Sequence, residues 1–429
     1  MRKKSSVPGG AKLRKVPASL RGLTADAWLL FLTRFTRLFA YGLLSVILVF
    51  YLTGIGLTES ETGLLLTLTL VGDMVVSLIL TTRADRIGRK RMLIAGAILM
   101  AAAGLAFALT RKLPLLILAG TVGVISPSGN EVGPFLSIEQ AALSHLLPSS
   151  SRTGVFAWYS LTASVATALG ALAGGVLTQS LQHGSVTQVA SYRTVVVLYA
   201  GLGILLAYFF VRLSSAVEVN TSKEQSPSVG ASRFLGLGQS HNVVLKLSGL
   251  FALDSFGGGF VIQSFAAYWF YLRFGAEPRT IGAIFFWANI FAGISALLAS
   301  KIAARIGLVR TMVVTHLPSN VLLIIVPLMP NLALATLVLL LRFSISQMDV
   351  PTRQSYTMAV VQPEERSAAG GVTGVARTAG AAISPFFAGL LFARPSLIDA
   401  PFFIAGALKI LYDLLLYFSF RRIRPPEES

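Results

Sequence analysis

Long apolar segments separated by short polar ones recur along the whole chain. Each has about 20 residues, which is the length that an α-helix needs to cross the hydrocarbon core of a bilayer. We count about twelve and number them as spans 1 to 12. Their approximate positions are 28–52, 61–82, 91–110, 113–146, 153–178, 194–213, 243–272, 280–303, 311–329, 331–360, 367–393 and 399–420. The pattern therefore predicts an all-α membrane protein with about twelve transmembrane helices.

The second half of the sequence repeats features of the first half. Arg152 and Arg366 each precede a segment rich in small residues, and the same spacing separates Gly175 from Gly389 within those segments. Internal repeats of this length are typical of transporters built from two related bundles. We therefore predict two pseudo-symmetric six-helix bundles. Two shorter matches support the repeat: Phe-Tyr-Leu at 50–52 and 270–272, and Arg-Ile-Gly at 86–88 and 305–307.

Polar segments set the boundaries that we expect between these units. The stretch before His241 is rich in Ser and Gly and reads as a linker between the bundles. The predicted units are a basic N-terminal segment at 1–27, an N-terminal bundle at 28–213, a linker at 214–241, a C-terminal bundle at 242–420 and a tail at 421–429.

The basic residues are unevenly distributed between the two sides of the predicted bundle. The net charge of +18 would by itself suggest nucleic-acid binding. The Lys and Arg residues instead concentrate in both terminal segments and in the loops after spans 2 and 8, which fall on one side of a chain that crosses twelve times. This asymmetry follows the positive-inside rule. We expect an integral membrane protein in a lipid bilayer, with both termini in the cytoplasm and no nucleic-acid partner.

Several kinds of chemistry lack the residues that they need. The sequence contains no Cys, and its four His are scattered without metal-ligand spacing. It also lacks a phosphate-binding Gly-Lys-Ser/Thr loop in a suitable setting. We therefore expect a monomer that is not an enzyme, holds no metal or cofactor and is not driven directly by ATP.

We single out seven charged residues that fall inside apolar spans. A charged side chain at a helix centre costs roughly 2.5–3.5 kcal/mol on the insertion scale, so these groups must pair or face water. A hydrated central cavity explains them most simply. They are Arg34, Arg37, Asp73, Glu131, Asp254, Arg342 and Asp349.

The loop between spans 2 and 3 has a recognisable sequence. It reads Ala-Asp-Arg-Ile-Gly-Arg-Lys-Arg at 84–91 and resembles the signature loop of the major facilitator superfamily, with Thr81 and Arg83 where Gly and Leu are usual. Residues 170–175 are similar to a motif of the superfamily's antiporter branch, and ordinary packing of small residues explains them equally well. The resemblance implies alternating access around a cavity lined by spans 1, 4, 7 and 10, which carry six of the seven charges.

The expected substrate contacts lie on these four spans. Asn130 and Glu131 fall within a run containing two Pro and two Gly, which predicts an unwound segment facing the cavity. The expected substrate-binding set is Arg37, Tyr41, Asn130, Glu131, Asp254, Arg342 and Asp349. Asp73, midway along span 2, is the expected proton carrier, and the alternative is an ion pair with Arg377 on span 11.

A second group of residues is expected to close the cytoplasmic side. The repeat aligns Arg34 with Asp254 and Glu139 with Arg353, and we predict an ion pair within each couple; the alternative is a local partner for each residue. The resemblance implies that charged loops beside them complete the network. The expected gate residues are Arg34, Asp85, Arg86, Arg89, Glu139, Arg152, Arg353, Glu365 and Arg366.

The function that these features favour is secondary active transport of a small solute by alternating access, with coupling to protons. A membrane sensor or receptor that keeps the transporter fold without turnover is the alternative. The sequence leaves open the substrate, the coupling ion, the direction of transport and the membrane.

Overall fold

A computed structural model describes residues 20, 23–131, 133–147, 152–218, 238–362 and 365–421, without the side chains at 85, 153 and 367. Within these ranges the regular structure is helical. The α-helices are α1 (Ala25–Ser45), α2 (Leu48–Gly54), α3 (Glu59–Ile87), α4 (Arg89–Leu109), α5 (Leu113–Val122), α6 (Phe135–Leu146), α7 (Arg152–His183), α8 (Gln188–Val211), α9 (His241–Gly259), α10 (Gln263–Phe274), α11 (Pro278–Ile306), α12 (Leu308–Ile325), α13 (Leu332–Ser346), α14 (Asp349–Ala359), α15 (Arg366–Phe392) and α16 (Ala400–Phe420).

The helices reproduce the predicted spans. Eleven helical segments are long and apolar enough to cross a membrane, and α5 is a shorter apolar helix. Spans 1, 4, 7 and 10 each consist of two helices separated by a break: α1 and α2, α5 and α6, α9 and α10, and α13 and α14. The prediction of an all-α protein with about twelve spans is confirmed, and the broken spans are the four that were expected to line the cavity.

Polar residues at the helix ends explain where several spans begin. Thr58 and Glu61 form a reciprocal capping box at the start of α3. Such caps satisfy backbone N–H groups that have no partner within the helix. The side chains of Thr24, Thr187 and Asn331 likewise accept a backbone N–H at the starts of α1, α8 and α13.

Equivalent features in the two halves, at the helix ends near the loop at 84–91 and its counterpart, support the repeat. Gly88 and Gly307, which join spans 2 to 3 and 8 to 9, have φ angles of 116° and 85° that favour glycine. Arg152 donates through Nε to the carbonyl of Leu147 at 3.3 Å, and Arg366 donates through Nε to that of Met358 at 2.9 Å. Each arginine thus ties the end of one broken span to the start of the next helix within its own half.

The two halves meet mainly through α7 with α11 and α3 with α15. Glycines allow the backbones to approach closely. A Cβ on Gly175 would lie 2.2 Å from the carbonyl oxygen of Pro278, and one on Gly389 would lie 2.5 Å from that of Glu59. These contacts lie at the ends of the helices away from the loop at 84–91. We call the side with that loop the basic side and the other the opposite side.

Hydrogen bonds near the breaks join the two halves at the centre of the molecule. Gln263 donates to the hydroxyl of Ser45 at 2.7 Å and accepts a hydrogen bond from Asn289 at 3.1 Å. The N–H of Ser264 donates to the carbonyl of Pro127 at 3.2 Å. We call these five residues the seam, and it joins spans 1 and 4 to spans 7 and 8.

We expect Gly175→Leu to open the opposite side, because the added side chain has no room beside the backbone of Pro278. The sequence lacks Cys, so spin labels can be placed uniquely at His183→Cys and Arg273→Cys. The distance between these labels should lengthen in the variant. Gly201→Leu is the matched control, since no atom lies within 4 Å of a Cβ at that position. An unchanged distance in Gly175→Leu would mean that glycine packing does not hold this side closed.

Candidate functional site

Arg37 lies at the centre of an ionic cluster in the N-terminal half. Its guanidinium is completely buried and donates to both carboxylate oxygens of Glu139 at 2.7 Å. It also contacts Oε1 of Glu131, through Nε at 3.0 Å and Nη2 at 2.5 Å. The hydroxyls of Thr33 and Tyr159 donate to Glu139 at 3.0 and 2.5 Å. Buried charges are tolerated when they are paired and hydrogen-bonded in this way.

Glu131 lies in the unwound segment between α5 and α6, as the sequence predicts. Gly129 and Gly133 on either side of it have φ angles of 69° and 81°, which lie outside the helical region. Arg34 places Nη1 3.5 Å from Oε2 of Glu131 and its guanidinium carbon 4.3 Å from the centre of the Tyr159 ring. The side chain of Glu131 is 17% exposed, whereas those of Arg37 and Glu139 are fully buried. Glu131 is therefore the most accessible acid of this cluster.

A second ionic cluster surrounds Asp254 in the C-terminal half. Lys409 donates to Oδ1 of Asp254 at 2.6 Å, and Arg353 donates to Oδ2 at 3.0 Å. Arg353 also lies 3.3 Å from Asp349, one turn earlier on α14. Nε2 of His316 lies 3.7 Å from Oδ1 of Asp254. Spans 7, 9, 10 and 12 thus meet at one carboxylate.

His316 extends this cluster to the outer helices of the half. Its Nδ1 lies 2.8 Å from Oδ1 of Asp413, and Asn320 donates to Oδ2 of Asp413 at 2.8 Å. Lys409 and Asp413 lie one turn apart on α16, and both are buried. The sequence analysis missed Lys409, His316 and Asp413. The signal that could have revealed them is the Lys–Asp pair at i and i+4 inside an apolar span.

The predicted ion pairs between the halves are wrong. Arg34 pairs with Glu131 instead of Asp254, and Arg353 pairs with Asp254 and Asp349 instead of Glu139. Among the described residues, each ion pair joins two residues of the same half. The physical reason is burial: a desolvated charge is costly unless a partner lies directly beside it, and the nearest acids to these arginines lie in their own half. The alternative of local partners accounts for these residues.

Asp73 has no ion pair among the described residues. It is buried, its Oδ1 has no hydrogen-bond partner, and the backbone N–H of Gly133 lies within electrostatic range of its carboxylate. Arg377 lies instead within electrostatic range of Asp254 and Arg353. The alternative pairing of Asp73 with Arg377 is therefore wrong, since Arg377 faces the C-terminal cluster.

The remaining expected substrate residues occupy different environments. Tyr41 is completely buried and stacks on Tyr199 at 6.4 Å between ring centres. Asn130 is exposed, with its backbone N–H directed at Ser128. Arg342 is partly exposed, and its guanidinium carbon lies 5.0 Å from the centre of the Phe343 ring. Substrate contact by these residues stays a prediction.

The remaining expected gate residues lie on the basic side. The side chain of Asp85 falls outside the described residues, and Arg86 is exposed. Arg89 is buried, and the N–H groups of Arg89 and Lys90 donate to Glu218 at 2.7 and 3.1 Å. Glu218 thus satisfies the first turn of α4. Closure of this side by the expected gate residues stays a prediction for a state in which the halves meet here.

In the C-terminal half, Glu365 accepts backbone N–H groups near the start of a helix, as Glu218 does in the N-terminal half. It accepts hydrogen bonds from the N–H groups of Gly238, Gln239 and Ser240 at 2.8, 3.1 and 3.0 Å, just before α9. Hydrogen bonding, led by the hydroxyl of Ser240, holds the pKa of Glu365 below its usual range. Glu365 therefore joins the start of span 7 to the start of span 11 within one half.

Within the part of the chain that the structure describes, one group of residues has a spacing that could hold a metal ion. Asp254, His316 and Asp349 each offer a ligand atom, and these atoms lie within 4.8 Å of one another. Lys409 and Arg353 already contact Asp254 and place two positive charges there. Because like charges repel strongly in a buried site, we assign the group to the ion-pair network and not to a metal centre.

Comparison with known families decides the classification. The Major Facilitator Superfamily matches residues 30–348 and 247–429, which together make up most of the chain. This protein belongs to the Major Facilitator Superfamily. The resemblance found at residues 84–91 is thereby confirmed. The broken spans 1, 4, 7 and 10 are those that the resemblance implied would line a cavity, and the lining itself stays a prediction.

The chain is similar in sequence to a yeast protein and to a bacterial protein. An uncharacterized membrane protein of Saccharomyces cerevisiae is 31% identical over 419 residues, covering 91% of this chain and 93% of the relative. A Na(+), Li(+), K(+)/H(+) antiporter of Planococcus maritimus is 27% identical over 184 residues, covering 43% of this chain and 42% of the antiporter.

Solved structures of superfamily transporters share the fold. The nucleoside transporter NupG superposes with a TM-score of 0.75 at 12% identity, covering 92% of this chain and 100% of that chain. A bacterial homolog of the human lysosomal transporter Spinster, in an inward-facing and occupied conformation, gives a TM-score of 0.70 at 15% identity over 92% of this chain and 96% of that one. Family and fold together identify a membrane transporter.

Proposed function

We propose that this transporter moves a small solute by alternating access as a secondary active carrier. The observation that supports this most directly is the position of the ionic clusters relative to the seam. Arg37 precedes Ser45 by about two turns on α1, and Asp254 precedes Gln263 in span 7. Both clusters therefore lie on the basic side of the seam, where the ion pairs do not join the halves. A solute entering from the basic side would reach them before meeting the closed seam.

We propose that protons drive the transport and that Asp73 carries them. An unpaired carboxylate is costly to bury in its ionised form, so its surroundings favour reversible binding of a proton. The backbone N–H of Gly133 and the carboxylate of Glu131 lie within electrostatic range of Asp73, and both belong to the unwound segment of span 4. Protonation of Asp73 can thus act directly on the break in span 4. The name of the Planococcus maritimus relative, which includes proton exchange, supports coupling of this kind.

Asp73→Asn should remove the response to a proton gradient, because the amide cannot bind and release the proton. The measurement uses the purified protein in liposomes containing a pH-sensitive dye. A panel of sodium, lithium and potassium salts, nucleosides and carboxylates is added with and without an imposed pH gradient. We expect at least a roughly tenfold loss of gradient-driven uptake with exchange of preloaded solute retained.

Glu61→Gln on the same helix is the matched control, since Gln preserves the capping box. Gradient-driven uptake that survives in Asp73→Asn would refute the role of Asp73 as the carrier. A wild-type protein that binds a member of the panel but moves none of them would support the alternative of a sensor without turnover.

We further propose that the protein functions as a monomer with both termini in the cytoplasm and the segment 214–241 linking the bundles. The basic loops support this orientation by the positive-inside rule. An epitope at the C-terminus should be accessible to antibody in inverted vesicles and protected in right-side-out vesicles. The reverse result would exclude this topology.

A further inference from the structure

Two arginines that lie well inside the spans of the C-terminal half have no ion-pair partner among the described residues. Arg342 lies on α13, one helix turn before the break in span 10, and Arg377 lies near the middle of α15. The Nε atom of each is shielded from solvent and donates no hydrogen bond within the described part of the chain. A buried N–H without an acceptor is destabilising, so both guanidiniums are poised to accept a partner that the chain does not supply.

The nearest acids are already occupied by other cations. Asp254 is bonded to Lys409 and Arg353, and Arg353 also pairs with Asp349. Both unpaired arginines lie within electrostatic range of these two acids. With Asp413, which is bonded to His316, the cluster has three carboxylates against these four cationic side chains. Arg377 is also close enough to Arg353 for the two guanidinium charges to repel.

The N-terminal cluster has the opposite balance. Arg34 and Arg37 contact Glu131 and Glu139, so each positive charge there has a carboxylate. Asp73 adds a carboxylate without an ion pair in the described part of the chain. The excess of positive charge is therefore local to spans 10 and 11.

We propose that Arg342 and Arg377 bind an anionic group, a carboxylate or a phosphate, of the transported solute. This inference rests on the proposed transport function and specifies its substrate class. A guanidinium presents planar N–H donors that match the oxygens of both groups. The anion would satisfy the two free Nε donors and screen the repulsion between Arg377 and Arg353. Its binding would also bridge α13 and α15, which belong to different spans.

The proposal is tested by binding, so that it does not depend on flux. Purified protein is placed in nanodiscs of neutral phosphatidylcholine, which excludes anionic headgroups as the ligand. Thermal midpoints are measured with sodium benzoate, succinate and phosphate against sodium chloride and choline chloride of equal ionic strength. A ligand that binds the folded state raises its midpoint. We expect at least one of the three anions to do so, and the pattern across them separates carboxylate from phosphate binding.

Arg342→Gln and Arg377→Gln should each raise the half-saturating concentration of the anion roughly tenfold or more, because each removes a charge-assisted contact. Arg377→Gln should also leave the midpoint of the ligand-free protein unchanged or raised, since it relieves repulsion. Arg193→Gln is the matched control, because its Nε is equally buried and unpaired but lies on α8 of the other half.

Two results would overturn the proposal. The first is that none of the three anions stabilises the wild type more than the Arg342→Gln/Arg377→Gln double variant. The second is that Arg193→Gln loses the anion response to the same extent. If the double variant still transports a cationic solute such as choline, transport is intact and the anionic substrate class is rejected. The two proposals can therefore fail separately.

Discussion

Replacing Arg37 with alanine is expected to destabilise the protein strongly. The substitution leaves Glu139 fully buried without the cation that now binds both of its oxygens. It also removes two contacts to Glu131. Removing one partner of a buried ion pair costs about 3–5 kcal/mol, because the other charge stays desolvated and unpaired. We expect a large fall in the thermal midpoint and in the yield of monodisperse protein.

The double variant Arg37→Met/Glu139→Gln provides the control for this prediction. It removes both buried charges and keeps Arg34 beside Glu131. Replacing a buried pair by neutral groups of similar size is often close to neutral for stability, so the double variant should recover much of the lost midpoint. A single Arg37→Ala variant as stable as the wild type would contradict the structural role of the network.

Replacing Asp254 with alanine should have the second large effect. Lys409 then loses its carboxylate among the described residues, and Arg353 keeps only Asp349. The expected destabilisation is again about 3–5 kcal/mol, accompanied by loss of transport because spans 7, 10 and 12 are no longer joined. Thermal midpoint and solute exchange in liposomes measure the two consequences separately.

Asp349→Ala is the matched comparison, since Arg353 retains Asp254 and Lys409 is untouched. The loss of stability in Asp349→Ala should be clearly smaller than that in Asp254→Ala. Asp254→Asn/Lys409→Met should recover stability relative to Asp254→Ala but not transport. Equal costs for Asp349→Ala and Asp254→Ala would show that Asp254 is not the centre of the cluster.

The fold was largely predictable because its signals are periodic and long. Hydrophobic length identified the spans, and the repeat of Arg152 at Arg366 identified the two halves. The structure adds that these two arginines make equivalent bonds to Leu147 and Met358. The break in span 4 was also predictable, since Pro and Gly interrupt helical hydrogen bonding. These features depend on the order of residue types along the chain, which can be read directly from a single sequence.

The ion-pair partners were not predictable to the same degree. The alignment of Arg34 with Asp254 suggested contact across the pseudo-two-fold axis, but repeat-equivalent positions share an environment and need not touch. The partner of a buried charged side chain depends on its position along the span and on its side-chain rotamer. These place Arg34 beside Glu131. Lys409 and Asp413 lie in span 12, and their partners Asp254 and His316 belong to spans 7 and 9, so hydropathy along the chain does not reveal their pairing.

The basic side and the opposite side are held by different kinds of interaction, so they should respond differently to the surrounding solution and membrane. The opposite side is held by glycine contacts and by the uncharged hydrogen bonds of the seam, such as that between Gln263 and Ser45. The basic side is rimmed by Lys and Arg. Ionic strength and anionic lipid act on charged groups and hardly on close-packed neutral ones. Under the proposed alternating access, salt and lipid composition should therefore affect opening and closing of the basic side and leave those of the opposite side unaltered. The membrane would then influence which of the two states is more populated.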